Sequence, residues 1–298
     1  MATVRIQKDT SSKVIAVIAY LFVSIFAVLC LIPFIMMISA SFSSETAIMQ
    51  AGIGLLPKEP SVEAYRIAFL SPKYLAGSYI VTILMTCFGT GIGLFLIGMT
   101  GYVLYRKDFF LRNKIAFYIY FTTLFSAGLA PTYLWMIKYL GLKNNYLAVF
   151  LPLLMNPWLI FLMRNFMKSI PYEITESGKI DGAGDFRIFV SLILPMLKPA
   201  LATVGLFLAL GYWNEWYNSM LYLQNVDFVP LQYYLYNIVN KAAALNQSVA
   251  GANVTVGHLP TQTLKMATAV LTTGPIIFLY PFVQKYFISG ITVGAVKG

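Results

Sequence analysis

The chain has 298 residues, of which 59% are hydrophobic and 11% charged, with a formal net charge of +10 and a mean hydropathy of +0.74. Soluble domains carry about 25% charged residues, so this composition excludes a disordered chain, a collagen-like fibre and an ordinary cytosolic enzyme. Two cysteines, Cys30 and Cys87, both inside apolar runs, exclude a disulfide scaffold, and the basic residues are scattered between apolar segments rather than gathered in a stripe, which points to a polytopic membrane protein and away from nucleic acid.

In chain order, residues 1–13 form a tail with Arg5, Lys8 and Lys13, followed by an uncharged run over 14–44. That run exceeds the about 7–15 residues of a signal-peptide core and has no small-residue cleavage site, so it reads as a retained helix. An outer loop over about 45–73 holds Gly52, Gly54, Pro57, Pro60 and Pro72 and is expected to be irregular, with one short helix near Val62–Phe69. A core over 74–287 then supplies five further spans at about 74–105, 115–137, 144–163, 190–217 and 264–286. Each approaches or exceeds the roughly 20 apolar residues a membrane-crossing helix needs. The runs are continuous rather than alternating, so strands are excluded and the fold class is an all-α membrane protein of six helices.

Lys and Arg set the orientation. With the N-terminus inside, fourteen of them fall on the inner side and seven on the outer, which predicts an N-in, C-in topology. Arg106, Lys107, Arg112 and Lys114 read as part of that orienting bias. The last outer connection, 218–263, is the longest and is polar toward its end, and residues 288–298 form an inner tail. Gly89 and Gly93 in the second span predict close helix packing. Pro33, Pro131, Pro152, Pro157 and Pro275 predict kinks. His258 stands without metal-ligand companions.

The inner connection over 169–195 carries the most information. Ser169 and Pro171 suit a helix start, Glu173 and Glu176 complement the positive end of the helix dipole, and Ile170, Ile174 and Ile180 supply an apolar side. Gly178, Gly182 and Gly184 permit a sharp turn before Phe186, Ile188, Phe189, Leu192 and Ile193 lead back into the membrane at Pro195. A short helix, a glycine turn and a second helix at the surface form an element that can dock into a groove on a soluble partner.

Glu176-Ser177-Gly178, then Gly182, then Leu192-Ile193-Leu194-Pro195 resembles the EAA loop of ABC-importer permeases, with every spacing met and Ile180-Asp181-Gly182-Ala183 matching the usual I-D-G-A. Ser177 and Gly178 replace the two alanines, and Leu192 replaces the isoleucine. Phe161 to Pro171 resembles the family's approach to that loop, and Trp213-Asn214-Glu215-Trp216 the Trp-Asn segment of sugar-importer permeases. Tyr280 to Phe287 with Gly290 and Gly294 to Gly298 resembles the MalG-type carbohydrate branch, and the long last outer loop with this tail resembles its LplC/YtcP-like group.

The resemblance implies a six-helix type I importer transmembrane domain taking up carbohydrate, in the form of oligosaccharide or polysaccharide fragments, across the cytoplasmic membrane of a prokaryote. It further implies a MalF-like second permease, a nucleotide-binding ATPase dimer and an extracytoplasmic solute-binding protein. ATPase coupling is then expected at Glu173, Glu176, Ser177, Gly178, Asp181, Gly182, Ala183, Phe186, Leu194 and Pro195, with the tail residues Gly294 and Lys297 reaching toward the ATPase. Tyr212, Trp213, Asn214, Glu215 and Trp216 are candidates for the substrate pathway, or alternatively an aromatic belt at the membrane interface.

No P-loop, paired intramembrane carboxylates or metal motif is present in the sequence. The chain is therefore expected to be non-catalytic and to carry no cofactor, with ATP and Mg on the partner. The same machinery serving an amino acid or peptide, and an ion-coupled secondary transporter, are the alternatives.

Overall fold

A computed structural model describes residues 10–251 and 259–295. Among these every regular element is helical, and extended pairing is limited to an isolated bridge between Ser43 and Pro60. The elements run α1 (Thr10–Ser41), α2 (Glu45–Ala51), α3 (Glu63–Ala68), α4 (Pro72–Tyr105), α5 (Arg112–Leu124) and α6 (Leu129–Leu134), which continues into a π-helical turn at Trp135–Tyr139. They continue with α7 (Leu147–Leu154), α8 (Pro157–Met167), α9 (Glu173–Ile180), α10 (Asp185–Ile188), a π-helical stretch at Phe189–Ile193, and α11 (Leu194–Met196). The remainder is α12 (Lys198–Trp213), α13 (Tyr217–Tyr222), α14 (Leu231–Gly251) and α15 (Gln262–Ala295). Two compact units result, Met1–Leu70 with Ile238–Thr273 and Ser71–Asn237 with Gly274–Gly298.

In the first unit, α1 turns its apolar side chains outward, Tyr20 and Phe22 being 76% and 70% exposed, as suits a helix solvated by lipid or by other protein rather than water. Ala68, Ala242 and Leu264 form a small core. Ser44 caps α2 by accepting from the Ala47 N–H at 3.2 Å. The neighbouring Glu45 carboxylate caps the start of α15 across the unit, accepting from the Gln262 and Thr263 N–H groups, both at 2.8 Å, and from the Thr263 and Thr261 hydroxyls at 2.9 and 3.3 Å. Four donors otherwise orphaned or weakly paired at a helix start thus converge on one anion.

The second unit is built on α4. Its side toward α12 is made of small residues, so the two backbones approach closely. A Cβ on Gly89 would lie 2.3 Å from the Tyr212 ring, which is itself buried and donates its hydroxyl to the Phe150 carbonyl at 2.9 Å. Toward one end of the unit, Ile97, Leu104, Met163, Met167, Ile188, Phe189 and Ile193 form a continuous buried cluster that joins α4, α8 and α10.

Several expectations need correction. The third and fifth spans are bent pairs, turning through 114° between α5 and α6, where the break falls just ahead of the kink expected at Pro131, and 88° between the 185–196 and 198–222 segments. At the first break Gly128 sits at φ +84°, a conformation that other residues rarely adopt. At the second, Pro199 enters the first turn of α12 without an N–H to donate. The fourth span is interrupted just before Pro157, one of the expected kink positions, and the Asn156 side chain there accepts from the Trp158 N–H at 2.9 Å. The expected 218–263 loop contains the 21-residue α14, whose Leu231, Leu235 and Ala242 are buried while polar residues on its other face gave the segment its loop-like composition. In the 45–73 stretch α3 falls where a short helix is expected, and α2 is additional.

Two substitutions test this packing. Gly89→Ala should force the Tyr212 ring aside and lower stability by about 1–3 kcal/mol, read as a fall in the melting temperature of the detergent-purified protein, with an unchanged melt counting against the α4–α12 approach. Glu45→Ala should cost about 1–3 kcal/mol and speed amide hydrogen exchange at the start of α15; protection equal to the parent would show that the carboxylate is not the cap.

Candidate functional site

The 169–195 connection folds as a helix, a tight turn and a second helix. α9 has Glu173 and Glu176 in its first turn and ends with Asp181 as its cap and Gly182 at φ +75°. The Ala183 N–H returns to the Gly178 carbonyl at 2.9 Å and the Gly182 N–H to the Lys179 carbonyl at 3.0 Å. This paired closure is a Schellman motif, and the glycine at its left-handed position is what permits it. On the inner face of α9, Gly178 is buried, and a Cβ there would stand 3.0 Å from both Ile188 and Leu192. The second α-helix therefore lies tightly against the first.

Most of the expected coupling residues face outward. Glu173, Glu176, Ser177, Asp181, Gly182, Phe186 and Pro195 are exposed, Ala183 and Leu194 are half-buried, and Gly178 is the one turned inward. Two apolar side chains join that outer surface, Ile180 at 86% and Phe186 at 61% exposure. Gly294 lies in the last turn of α15, while Lys297 lies outside the described residues, as does His258.

An ionic cluster fixes this loop to the end of α4. Arg106, which caps α4, has a side chain only 9% exposed. Its Nε and Nη2 donate to the two oxygens of Asp108 at 2.6 and 2.5 Å, and its Nη1 donates to Asp185 Oδ1 at 2.5 Å and to the Tyr102 hydroxyl at 3.2 Å. Asp108 also accepts from the Tyr172 hydroxyl at 3.0 Å and pairs with the Lys179 ammonium. The Tyr105 hydroxyl adds a bond to the Ile170 carbonyl at 2.9 Å. One guanidinium thus binds residues on both sides of the turn, before α9 through Asp108 and at the start of α10 through Asp185. Charge-assisted, partly bidentate geometry of this kind gives strong and directional pairing.

In sequence Arg106 reads as an orienting charge, and Asp108, Tyr172, Lys179 and Asp185 belong to no expected site. The structure adds that Arg106 is a buried, paired cation. The available signal was that Asp108 is the only acid between Glu63 and Glu173 and stands two residues from an arginine at the end of an apolar helix.

A second set of expected residues lies at the C-terminal end of α12. Tyr212, Trp213 and Glu215 are buried. Glu215 is occupied as a cap for α13, accepting from the Asn218 N–H at 2.6 Å, the Asn218 side-chain amide at 3.0 Å and the Ser219 N–H at 3.4 Å. Asn214 and Trp216 remain accessible. Trp216 meets Tyr236 with ring centroids 5.0 Å apart, and Asn214 accepts from the Gln232 amide at 3.3 Å. Gln232 and Tyr236 belong to α14 and were hidden by the loop expectation for that segment. Among the described residues, no group of three or more His, Cys, Asp or Glu side chains is placed to hold a metal.

The Arg106 guanidinium foremost, with the Lys179 ammonium and Tyr172 hydroxyl, holds the Asp108 carboxyl well below the usual carboxylate range, and the same bonds raise Arg106 and Lys179. A carboxylate depressed on folding contributes stability above its unfolded value of about 4 and loses that contribution as pH falls through the folded value. A spin label at Ile180→Cys, in a background lacking Cys30 and Cys87, should therefore keep its mobility unchanged from neutral pH to about pH 4 and loosen only below it. Asp108→Asn should loosen the label already at neutral pH. Equal mobility in the two proteins at pH 7 would refute the tie.

No family model matches the chain. The polygalacturonan/rhamnogalacturonan transport system permease protein YtcP of Bacillus subtilis is 37% identical over 96% of this chain and 99% of its own length. Protein LplC of the same organism is 35% identical over all of both chains. The trehalose/maltose transport system permease protein MalG of Thermococcus litoralis is 27% identical over 91% and 93%. Among solved structures, a chain of a bacterial ABC transporter involved in the import of the acidic polysaccharide alginate superposes with a TM-score of 0.75 at 34% identity, covering 94% of this chain and 98% of its own. Identity above 30% along full-length relatives, together with the helical membrane architecture and the loop at 169–195, places this chain in the ABC-importer permease family, in the LplC/YtcP group of its carbohydrate branch.

Proposed function

We propose that this chain is one half of the pore of an ATP-driven importer for oligosaccharide or polysaccharide fragments, seated in the cytoplasmic membrane of a prokaryote. Its partners in this reading are a MalF-like permease, an ATPase dimer that binds ATP and Mg, and an extracytoplasmic solute-binding protein. The observation that carries it is the 169–188 element: an exposed α9, its turn and α10, presenting Ile180 and Phe186, clamped through Arg106 to the end of a 34-residue helix. A surface that moved with a soluble motor would pull on α4, because the ion pairs tie the two together. α4 in turn packs tightly on α12 at Gly89, so displacement at the loop would be carried along two long helices rather than absorbed locally.

The sugar assignment is supported by full-length likeness to polysaccharide and oligosaccharide permeases. It is supported also by the accessible Trp216–Tyr236 pair beside the Asn214 and Gln232 amides. Aromatic faces pack against the apolar faces of sugar rings while amides bond their hydroxyls, and neutral groups of this kind suit a ligand that must be released as well as held.

The test is ATP-dependent uptake of a labelled oligogalacturonide by the complete transporter in proteoliposomes. Ile180→Asp and Phe186→Asp, each placing a charge on the outer surface of the loop, should lower uptake about tenfold or more and lower ATP hydrolysis with it. Uptake equal to the parent in both variants would refute the coupling role, and uptake of amino acids or peptides but of no saccharide would refute the sugar assignment.

A further inference from the structure

At the same end of the second unit, a cavity of about 490 Å³ gathers Lys107, Arg112, Arg164 and Lys168. They come from just beyond α4, from the first residue of α5, from the last turn of α8 and from the residue that follows it. Among the described residues none of the four takes part in an ion pair, and Glu173 is the one acid in the cavity wall. The Arg164 Nε is buried and meets no acceptor. Lys107 is exposed and lies 5.1 Å over the Tyr172 ring, with no carboxylate paired to it among the described residues.

The contrast with Arg106, one residue from Lys107, is instructive. Arg106 is saturated by two carboxylates, whereas four cations beside it share a cavity with none bonded to them. Like charges gathered without counterions repel, and a buried guanidinium nitrogen without an acceptor costs free energy, so the arrangement calls for an anion supplied from outside.

We propose that this cavity binds the phosphate of an anionic phospholipid headgroup. The position favours a lipid over a soluble anion. The cavity opens where the apolar helices α4 and α8 end and charge begins, which is headgroup depth for spans of this kind. The exposed Pro171, beside the half-buried Tyr172 ring, gives its wall an apolar portion on which glycerol carbon can rest. Basic pockets between helix ends recognise phosphate headgroups through this combination of charge and apolar wall.

The experiment uses the full-length chain in detergent, equilibrated with equal phosphatidylglycerol and phosphatidylcholine, and the retained lipid is quantified by native mass spectrometry. Phosphatidylglycerol should be retained in preference, and Lys107→Gln combined with Lys168→Gln, both on exposed side chains, should lower that retention about 30-fold. Lys114→Gln, outside the cavity, should leave it unchanged, and matched melting temperatures show that the variants fold. Excess inorganic phosphate should not displace the lipid. Retention in the double variant equal to the parent, or equal retention of the two lipids, overturns the proposal. Full displacement by inorganic phosphate would assign the cavity to a small anion. In the assembled transporter, cross-linking of Lys168 to a carboxylate of a partner subunit, with no phosphatidylglycerol retained, would assign it to a protein contact; either result also overturns the proposal.

Discussion

The arrangement of this end of the second unit depends on the Arg106 guanidinium. A cation at the end of an apolar helix, with a side chain 9% exposed, would be costly to desolvate if it stood alone. It is tolerated because Asp108, Asp185 and the Tyr102 hydroxyl occupy its donors from three directions. Those partners belong to the helix itself, to the turn that follows it and to α10, almost eighty residues on. Satisfying one buried charge therefore ties the 169–195 connection to the end of α4, over an apolar cluster in which Phe189 packs against the Tyr102 ring at 5.4 Å.

Rigidity and interruption are distributed unevenly over the second unit. α4 is an unbroken helix of 34 residues, held against α12 where Gly89 admits the Tyr212 ring. The segments around it are broken, at Gly128, before Pro157, through the π-helical stretch Phe189–Ile193, and at Pro199. A π-helical stretch leaves backbone groups less regularly paired and recurs at functional positions. Here it follows immediately on the loop that Arg106 holds, so the most irregular helical backbone is adjacent to the most firmly tied surface.

The expected substrate residues at the end of α12 divide by chemistry. Glu215 is engaged as a cap, its two oxygens accepting three bonds from Asn218 and Ser219 at the start of α13. Asn214 and Trp216, left accessible, acquire Gln232 and Tyr236 as neighbours from α14. The result is an uncharged aromatic and amide surface in a chain whose net charge is +10.

Much was legible from residue order alone, because it depended on local chemistry. Uninterrupted apolar runs require helices in a bilayer, and Glu173, Gly178 and Gly182 at their spacing specify a short helix with a left-handed stop, which is how α9 and its Schellman turn form. What order alone could not reveal was partnership across distance. The polar face of α14 resembled a loop until Leu231 and Leu235 found a core, and Arg106 resembled an exposed orienting charge until Asp185 arrived beside it. Composition reports how a segment interacts with solvent, whereas the cost of burying a charge or an apolar stripe is decided by which distant groups come within about 3 Å of it, and that is settled only when the helices pack.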